Sequence, residues 1–374
     1  MKNANDYWFN FEYTNKIKVG FIGCGGHAYR NVYPTFDYAP IDLVAVCDLQ
    51  LERAEAYKTR FGAQRAYTDY KEMLKNEKLD AVFMVLNYDK NDHPLYSRFV
   101  PDILAAGLPV WIEKPLAYTA EEGERLLELE AKSGQFVQVA NKRYFYPTYV
   151  KAKQIADSEA FGETVSSSFR YPLTLSRYRE DIGTRIFSSQ EMEHTALKWF
   201  LDICHPMSAI HLIMGDVKEM LFTDHQPSGN VQTIFKFKSG AIGSLHLTAT
   251  QSPLAPIERA EFIGSNLQNV VVDNGMRLIY YKGSKGSSTT FNSGATYIGD
   301  DPADGPVIWE PEFSLAQLYN KNLFLQGMVQ SVTQFANAVM EGKKIEKSTL
   351  ADAVHLTKIF DAYKQRSDQW ITID

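Results

Sequence analysis

Between Ile17 and Asp48 the chain sets out, in order, every part of a strand–turn–helix–strand unit. Ile17-Lys18-Val19-Gly20-Phe21-Ile22 is a short apolar run with β-branched residues, the pattern of a buried strand. Gly23-Cys24-Gly25-Gly26-His27-Ala28 follows at once as a G-x-G-x-x-A turn. The spacing then predicts an amphipathic helix from Tyr29 to about Tyr38 and a second strand, Leu43–Cys47, that ends in Asp48. In a unit of this kind the first glycine permits the tight turn and the second lets the backbone approach a pyrophosphate. Unpaired N–H groups at the helix start face the phosphates. Asp48 lies twenty residues past Ala28, placed to accept hydrogen bonds from the hydroxyls of an adenosine ribose. Glycine turns between strand and helix also occur without any ligand. Here four elements agree in order and spacing, and together they point to a bound dinucleotide.

Charge indicates which one. A carboxylate at the end of the second strand repels a 2′-phosphate, which favours NAD over NADP. Leu49 and Gln50 follow Asp48, and Arg53 is the first cation. Arg53 can turn toward a 2′-phosphate, so NADP is not excluded.

The alternation continues. Helices are expected over Leu51–Phe61, stopped by Gly62, then from the Thr68-Asp69 cap to Asn76, over Pro94–Ala106 and over Thr119–Ser133. Strands are expected near Arg65–Tyr67, at Ala81–Leu86, at Pro109–Ile112 and at Phe136–Ala140. This predicts an α/β domain over residues 1–146, with a doubly wound parallel sheet preceded by a 1–16 extension. Ligands of such sheets lie at the carboxyl ends of the strands, where Gly23, Asp48, Asn87, Glu113, Lys114 and Asn141 fall.

Past residue 147 the pattern changes. A connecting helix is expected over Lys151–Ser158 and a strand from Glu163 to Tyr171, followed by helices within Glu191–Met214. Between Val217 and Tyr281, apolar runs alternate with turn signals such as Lys238-Ser239-Gly240 and Asp273-Asn274-Gly275. These predict an α+β domain over residues 147–374 with an open antiparallel sheet of about six strands. One face is covered by helices, and the bare face is suited to a homodimer or homotetramer. Gly283–Gly305 reads as a long loop, and helices over Leu315–Met340 and Ser348–Tyr363 are expected to return to the first domain.

Composition removes several classes of function. Thirty-nine Lys and Arg against 45 Asp and Glu leave a net charge of −6 with no basic stripe, so nucleic acid is not an expected partner. Cys24, Cys47 and Cys204 are too few for a disulfide framework or a zinc site, and no metal is expected. No apolar run nears the roughly 18 residues that span a bilayer. Met1–Lys16 shows no basic stretch leading into an apolar core, so a cytoplasmic location away from the membrane is expected.

Lys114 sits between Glu113 and Pro115 at a strand end. Proline removes an N–H and restricts the lysine's backbone. A partly buried lysine there suits hydrogen bonding to a substrate hydroxyl or carbonyl, and a surface Glu–Lys pair is the alternative. The Glu-Lys-Pro triple, about ninety residues after the glycine turn, is where a resemblance enters. From Lys16 to about Trp370 the chain resembles the glucose–fructose oxidoreductase / inositol dehydrogenase / MocA (Gfo/Idh/MocA) family of NAD(P)-dependent oxidoreductases, whose nucleotide domain is a Rossmann fold. Asp80–Val85 with His93, Val139–Tyr144, and Leu201-Asp202-Ile203-Cys204-His205-Pro206 through Gly215 are similar to further family segments.

The resemblance implies a cofactor set of Gly23, Cys24, Gly25, Gly26, His27, Ala28, Asp48, Asn87, His93, Glu113, Lys114, Asn141 and Arg143. It implies that Lys114 contacts substrate and cofactor and that His205 is the general acid/base. An imidazole titrates near neutrality and can carry the proton that accompanies hydride transfer. The chain departs from the common pattern of aspartates four before and three after that histidine, where Leu201 and Ser208 stand. Asp202, three before, can still approach His205 across one helical turn and is counted with the catalytic residues. Tyr144 and Tyr171, counted with Lys114 and His205 as substrate residues, and His194, His211, Arg143 and Arg177 are further polar candidates for the pocket, with His211 read as a packing residue and Arg177 as solvated.

The leading expectation is hydride transfer between nicotinamide and a secondary hydroxyl or ketone of a sugar, cyclitol or derivative. The runner-up is an NAD-dependent glycosidase that works by transient oxidation and elimination. A third reading is a nucleotide-binding regulator without turnover.

Overall fold

The computed structural model describes residues 13–173, 201–225, 228–249, 251–252, 254–282, 305–311, 320–365 and 368–373. The expectations for Arg177, His194 and most of Gly283–Gly305 fall outside these residues. The described chain divides into two compact units, one of residues up to 145 with 320–358, the other of residues 146–311 with 359 onward.

In the first unit β1 (Ile17–Ile22) leads into α1 (Gly26–Asn31), then β2 (Ile41–Cys47), α2 (Leu51–Phe61) and β3 (Arg65–Tyr67). The predicted Tyr29–Tyr38 helix is in fact two pieces: α1 stops at Asn31 and a 3₁₀ turn covers Tyr33–Tyr38. Pro34 is the reason, since it brings no N–H to a continuing α-helix and clashes with the turn before it. After α3 (Tyr70–Asn76) come β4 (Ala81–Met84), α4 (Tyr96–Ala105), β5 (Val110–Glu113), α5 (Ala120–Ser133) and β6 (Val137–Ala140). The six strands lie in the order β3-β2-β1-β4-β5-β6, all parallel. Strand order reverses between β1 and β4, the switch point at which such sheets open a crevice.

Both faces of this sheet are buried. Phe21, Phe83 and Trp111 point to one side, where a later helix supplies Val332, Phe335 and Ala336. Ile22, Val82, Met84 and Ile112 point to the other, against Val100, Ile103, Leu104 and Leu126. Strand side chains alternate between faces, so unbroken apolar runs are what a doubly covered sheet requires.

In the second unit α6 (Pro147–Ala156) and β7 (Thr164–Pro172) are followed, among the described residues, by a 3₁₀ turn (Leu201–Ile203) and α7 (Cys204–Met214). Then come β8 (Val217–His225), β9 (Asn230–Phe237), β10 (Ile242–Thr248), β11 (Arg259–Gly264), β12 (Asn269–Asp273), β13 (Arg277–Tyr281) and β14 (Val307–Trp309). The chain continues with α8 (Lys321–Leu325), α9 (Met328–Glu341) and α10 (Leu350–Lys364), and ends in β15 (Ile371–Thr372). The helix expected over Leu315–Met340 breaks at Gly327, whose φ of +68° is left-handed. A side chain on Gly327 would collide with the backbone of Phe145.

The second sheet has nine described strands, ordered β14-β13-β12-β11-β7-β10-β9-β8-β15. It corrects the expectation of about six antiparallel strands, because β7 and β10 run parallel. Turn residues betray only local hairpins, and the β7–β10 pairing joins strands far apart in sequence. One face is buried through Phe169, Phe235, Leu245, Phe262 and Val272. In register across the other face stand Leu221 and Ile234, then Ser244, Ser168 and Glu261, then the buried Val271, then Ile279 and Ile308. Ile234 and Ile308 on that face are exposed.

Candidate functional site

The site begins at the β1–α1 turn. Gly23 adopts φ +105°, and a Cβ there would overlap the carbonyl oxygen of Val85, so the turn against β4 admits no side chain. Gly25 and Gly26 are different. Neither has a positive φ, and a Cβ on either would meet nothing within 4 Å. The tightness at Gly23 serves the protein, and the open space at Gly25 and Gly26 can admit a ligand. Tyr57 of α2 donates its hydroxyl to the Gly25 carbonyl at 3.1 Å and steadies the turn.

Asp48, at the end of β2, is already oriented. One carboxylate oxygen accepts the Cys24 amide at 2.9 Å and the other accepts the Gln50 amide at 3.0 Å. Arg53 Nη1 stands 3.9 Å from Asp48 Oδ1. The Cys24 thiol points the other way, into the core, with Sγ 3.7 Å from the Tyr33 hydroxyl. Burial pushes the thiols of Cys24 and Cys47 up to about 12, so both stay protonated and serve as packing groups.

A cavity of about 850 Å³ lies along these strand ends. It brings together Gly23, Cys24, Gly25, Gly26, His27, Asp48, Asn87, Glu113 and Lys114 from the sequence-derived set. Four members of that set do not line it. Ala28 is buried in the core one residue along α1, where a small residue lets helix and strand pack closely. His93 stacks face to face on Tyr118, ring centroids 3.8 Å apart. Asn141 and Arg143, with the substrate candidate Tyr144, are buried at and after the end of β6.

The wall also includes residues the sequence reading passed over, among them Tyr57, Thr68, Tyr70, Leu86 and Phe99. Thr68 follows the carboxyl end of β3, so the strand-end rule could have found it. A three-residue strand is a faint signal. Tyr57 and Phe99 come from helices flanking the crevice and left no sequence signal of their own.

At the end of β5 Glu113 is buried beneath the rim. Its Oε1 meets His27 Nε2 at 3.1 Å and its Oε2 accepts the Lys114 amide at 2.9 Å. Burial pushes this carboxyl up, but the hydrogen bond and charge of His27, then the charges of Lys114 and Lys142, outweigh it and hold the group below the usual glutamate range. The following Lys114–Pro115 bond is cis.

The second unit carries the other catalytic candidates. The 3₁₀ turn presents Asp202 one turn before His205, at the start of α7, and Asp202 Oδ1 lies 3.9 Å from His205 Nε2. That is ion-pair range but too long for a hydrogen bond. Ser208, in one of the two positions where the family aspartate was missed, turns its hydroxyl to the His205 carbonyl at 2.9 Å and not to the ring. His211 Nε2 meets Asp216 Oδ1 at 2.9 Å near the end of α7. Tyr171 lies near the end of β7, its carbonyl accepting the Thr248 hydroxyl at 3.1 Å.

Residues 17–141 match the sequence model (GFO_IDH_MocA) of a family described as an oxidoreductase family with an NAD-binding Rossmann fold. A dTDP-3,4-didehydro-2,6-dideoxy-alpha-D-glucose 3-reductase of Actinomadura kijaniata is 27% identical over 176 residues, 46% of this chain and 51% of the relative. An inositol 2-dehydrogenase of Acidothermus cellulolyticus is 31% identical over 193 residues, 50% of this chain and 54% of the relative. The chain spans about half the length of the curated relatives it matches. A solved dehydrogenase of Chromobacterium violaceum shares the fold at a TM-score of 0.75 with 20% identity, covering 94% of this chain and 95% of that one. Among the described residues no helix is long and apolar enough to cross a membrane.

Proposed function

From the premise that the chain belongs, through residues 17–141, to the Gfo/Idh/MocA oxidoreductase family, we propose that it is an NAD-dependent oxidoreductase acting on a secondary hydroxyl or ketone of a sugar, cyclitol or derivative. The observation that carries this reading is the cradle at the β1–α1 turn. Gly25 and Gly26 leave room where a side chain would otherwise stand, and Asp48 is held rigidly beside them. A carboxylate fixed by two backbone amides accepts ribose hydroxyls without reorganising, and it repels a 2′-phosphate. NAD is therefore the expected cofactor over NADP, and it supplies the hydride acceptor.

The chain's own groups do the rest. Glycine-turn amides and the α1 start bind the diphosphate, and Asp48 orients the ribose. Lys114, at the rim of the same cavity, hydrogen-bonds the substrate oxygen. We assign the accompanying proton to His205, with Asp202 near enough to stabilise an imidazolium. Relatives named as an inositol 2-dehydrogenase and a dTDP-sugar 3-reductase support a polyhydroxylated substrate. A second copy of the chain is the proposed cover for the second unit's sheet face, on which Ile234 and Ile308 are exposed among the described residues.

The test is turnover on a panel of sugars and cyclitols, followed as NADH production, for the parent protein and for Lys114→Ala and His205→Ala. Each variant is expected to lose about 10²–10⁴-fold in kcat, with NADH affinity kept in His205→Ala. Unchanged turnover in both would remove the catalytic assignment. Sugar release from glycosides without NADH accumulation would replace the dehydrogenase by the oxidation–elimination glycosidase.

A further inference from the structure

We propose that His27 is a positioning residue for the Glu113–Lys114 corner of the cavity: oriented by Asn31, its imidazole anchors the Glu113 carboxylate, which in turn holds the Lys114 amide. This inference deepens the cofactor reading above and rests on it for the purpose of the corner.

Four groups form the chain of contacts. Asn31 Nδ2 lies 3.2 Å from His27 Nδ1, one turn along α1. His27 Nε2 lies 3.1 Å from Glu113 Oε1, and Glu113 Oε2 accepts the Lys114 amide at 2.9 Å. The amide nitrogen of Asn31 can only donate, so Nδ1 accepts and Nε2 carries the hydrogen. An Nε2–H so placed donates to the Glu113 carboxylate. His27 and Glu113 are 86 residues apart in sequence, and the bond between them ties the glycine-turn helix to the strand end that bears Lys114.

The burial is asymmetric. The Glu113 side chain is 7% exposed and that of His27 is 47% exposed. A carboxylate so enclosed needs donors on both oxygens, because an unpaired buried charge is expensive. Without His27, Oε1 would lose its side-chain donor beside a turn that receives an anionic diphosphate. Glu113 would then rotate or take up a proton, and the Lys114 amide would lose its acceptor. Histidine at the last x of G-x-G-x-x-A therefore has a task distinct from that of the glycines: its side chain serves the Glu113–Lys114 corner while its backbone serves the turn.

The experiment uses the full-length protein with His27→Ala, His27→Gln and Asn31→Ala, and three readouts: NADH affinity by fluorescence, thermal midpoint, and the ¹⁵N spectrum of the histidine rings without cofactor. Glutamine keeps a donor near the Nε2 position. The expected result is an affinity loss of about tenfold for His27→Ala, recovery to within about threefold for His27→Gln, and a smaller loss for Asn31→Ala, with midpoints within a few degrees of the parent. In the ring spectrum, the resonances that vanish in His27→Gln should show protonated Nε2 and bare Nδ1. His27→Ala binding NADH as the parent does, or a protonated Nδ1 with bare Nε2, would overturn the proposal. If His27→Ala fails to fold, the glutamine variant, Asn31→Ala and the ring spectrum decide. A parent protein that takes up no nicotinamide cofactor would sink the cofactor reading instead, leaving the spectrum to judge His27.

Discussion

The two units solve the problem of a half-buried sheet in opposite ways. In the first, β4, β5 and β6 are buried at every residue and β1 at all but Lys18, because helices cover both faces. In the second, β9 alternates residue by residue between buried and open, and the open positions include Ile234. A sheet covered twice has no side chains to spare for a ligand, so its chemistry moves to the strand ends, where backbone turns and single polar residues shape a cavity. A sheet with one face open among the described residues keeps a broad surface, the one proposed above to meet a second copy. The difference teaches where to look for function in each: at the carboxyl edge of one sheet and across the flat of the other.

The comparison is most exposed to a pair of glycine substitutions. Gly23→Ala forces a Cβ onto the Val85 carbonyl at a left-handed φ, while Gly264→Ala in β11 forces one onto the Phe161 carbonyl. Both are expected to destabilise by several kcal/mol, on the order of the larger single-site effects. Only Gly23→Ala should lower NADH affinity, by more than about 100-fold, because the turn it distorts is the cradle. Titration of NADH fluorescence and thermal melts of both variants check this. Equal loss of NADH binding in the two would dissolve the division of labour.

A smaller effect is expected from Ile234→Asp on the open face of β9. Light scattering should report a lower molecular mass than for the parent, with NADH affinity within about twofold. A parent that is already monomeric would sink the proposed second-copy cover.

The smallest effect concerns the buried thiols. Cys24 and Cys47 hold their protons up to about 12, so alkylation at about pH 8 should leave both unlabelled by mass spectrometry until urea is added. The sign follows from the raised values. The unfolded chain loses these protons near the ordinary thiol range, while the folded chain keeps them. Their contribution to stability is complete below that range and declines as pH climbs toward 12. Rapid labelling of native Cys24 would show that the glycine turn opens far more readily than the strand beneath it.

Much of the first unit was legible because its determinants are local. Apolar run lengths, Gly62 in the left-handed region after α2, and the Asp69 cap on α3 each act within a few residues, and the structure shows them in place. Nine cofactor candidates line one cavity for a related reason: parallel strands align their carboxyl ends, so strand-end residues converge whatever the connecting helices do. His93 and Arg143 were placed by family likeness and Asn141 by its strand end, and none of the three lines that cavity.

By itself the sequence determined the parallel α/β unit, the glycine turn and the acid at the end of β2, since hydrophobic periodicity and backbone sterics need no distant partner. Tertiary structure alone decided that β7 runs parallel to β10, that Cys24 and Gln50 aim Asp48, and that His27 reaches Glu113. These are pairings between groups whose choice depends on which surfaces come together after collapse. Non-local hydrogen bonds leave no periodic trace along a chain, and only the packed molecule selects among the partners that its polar residues could take.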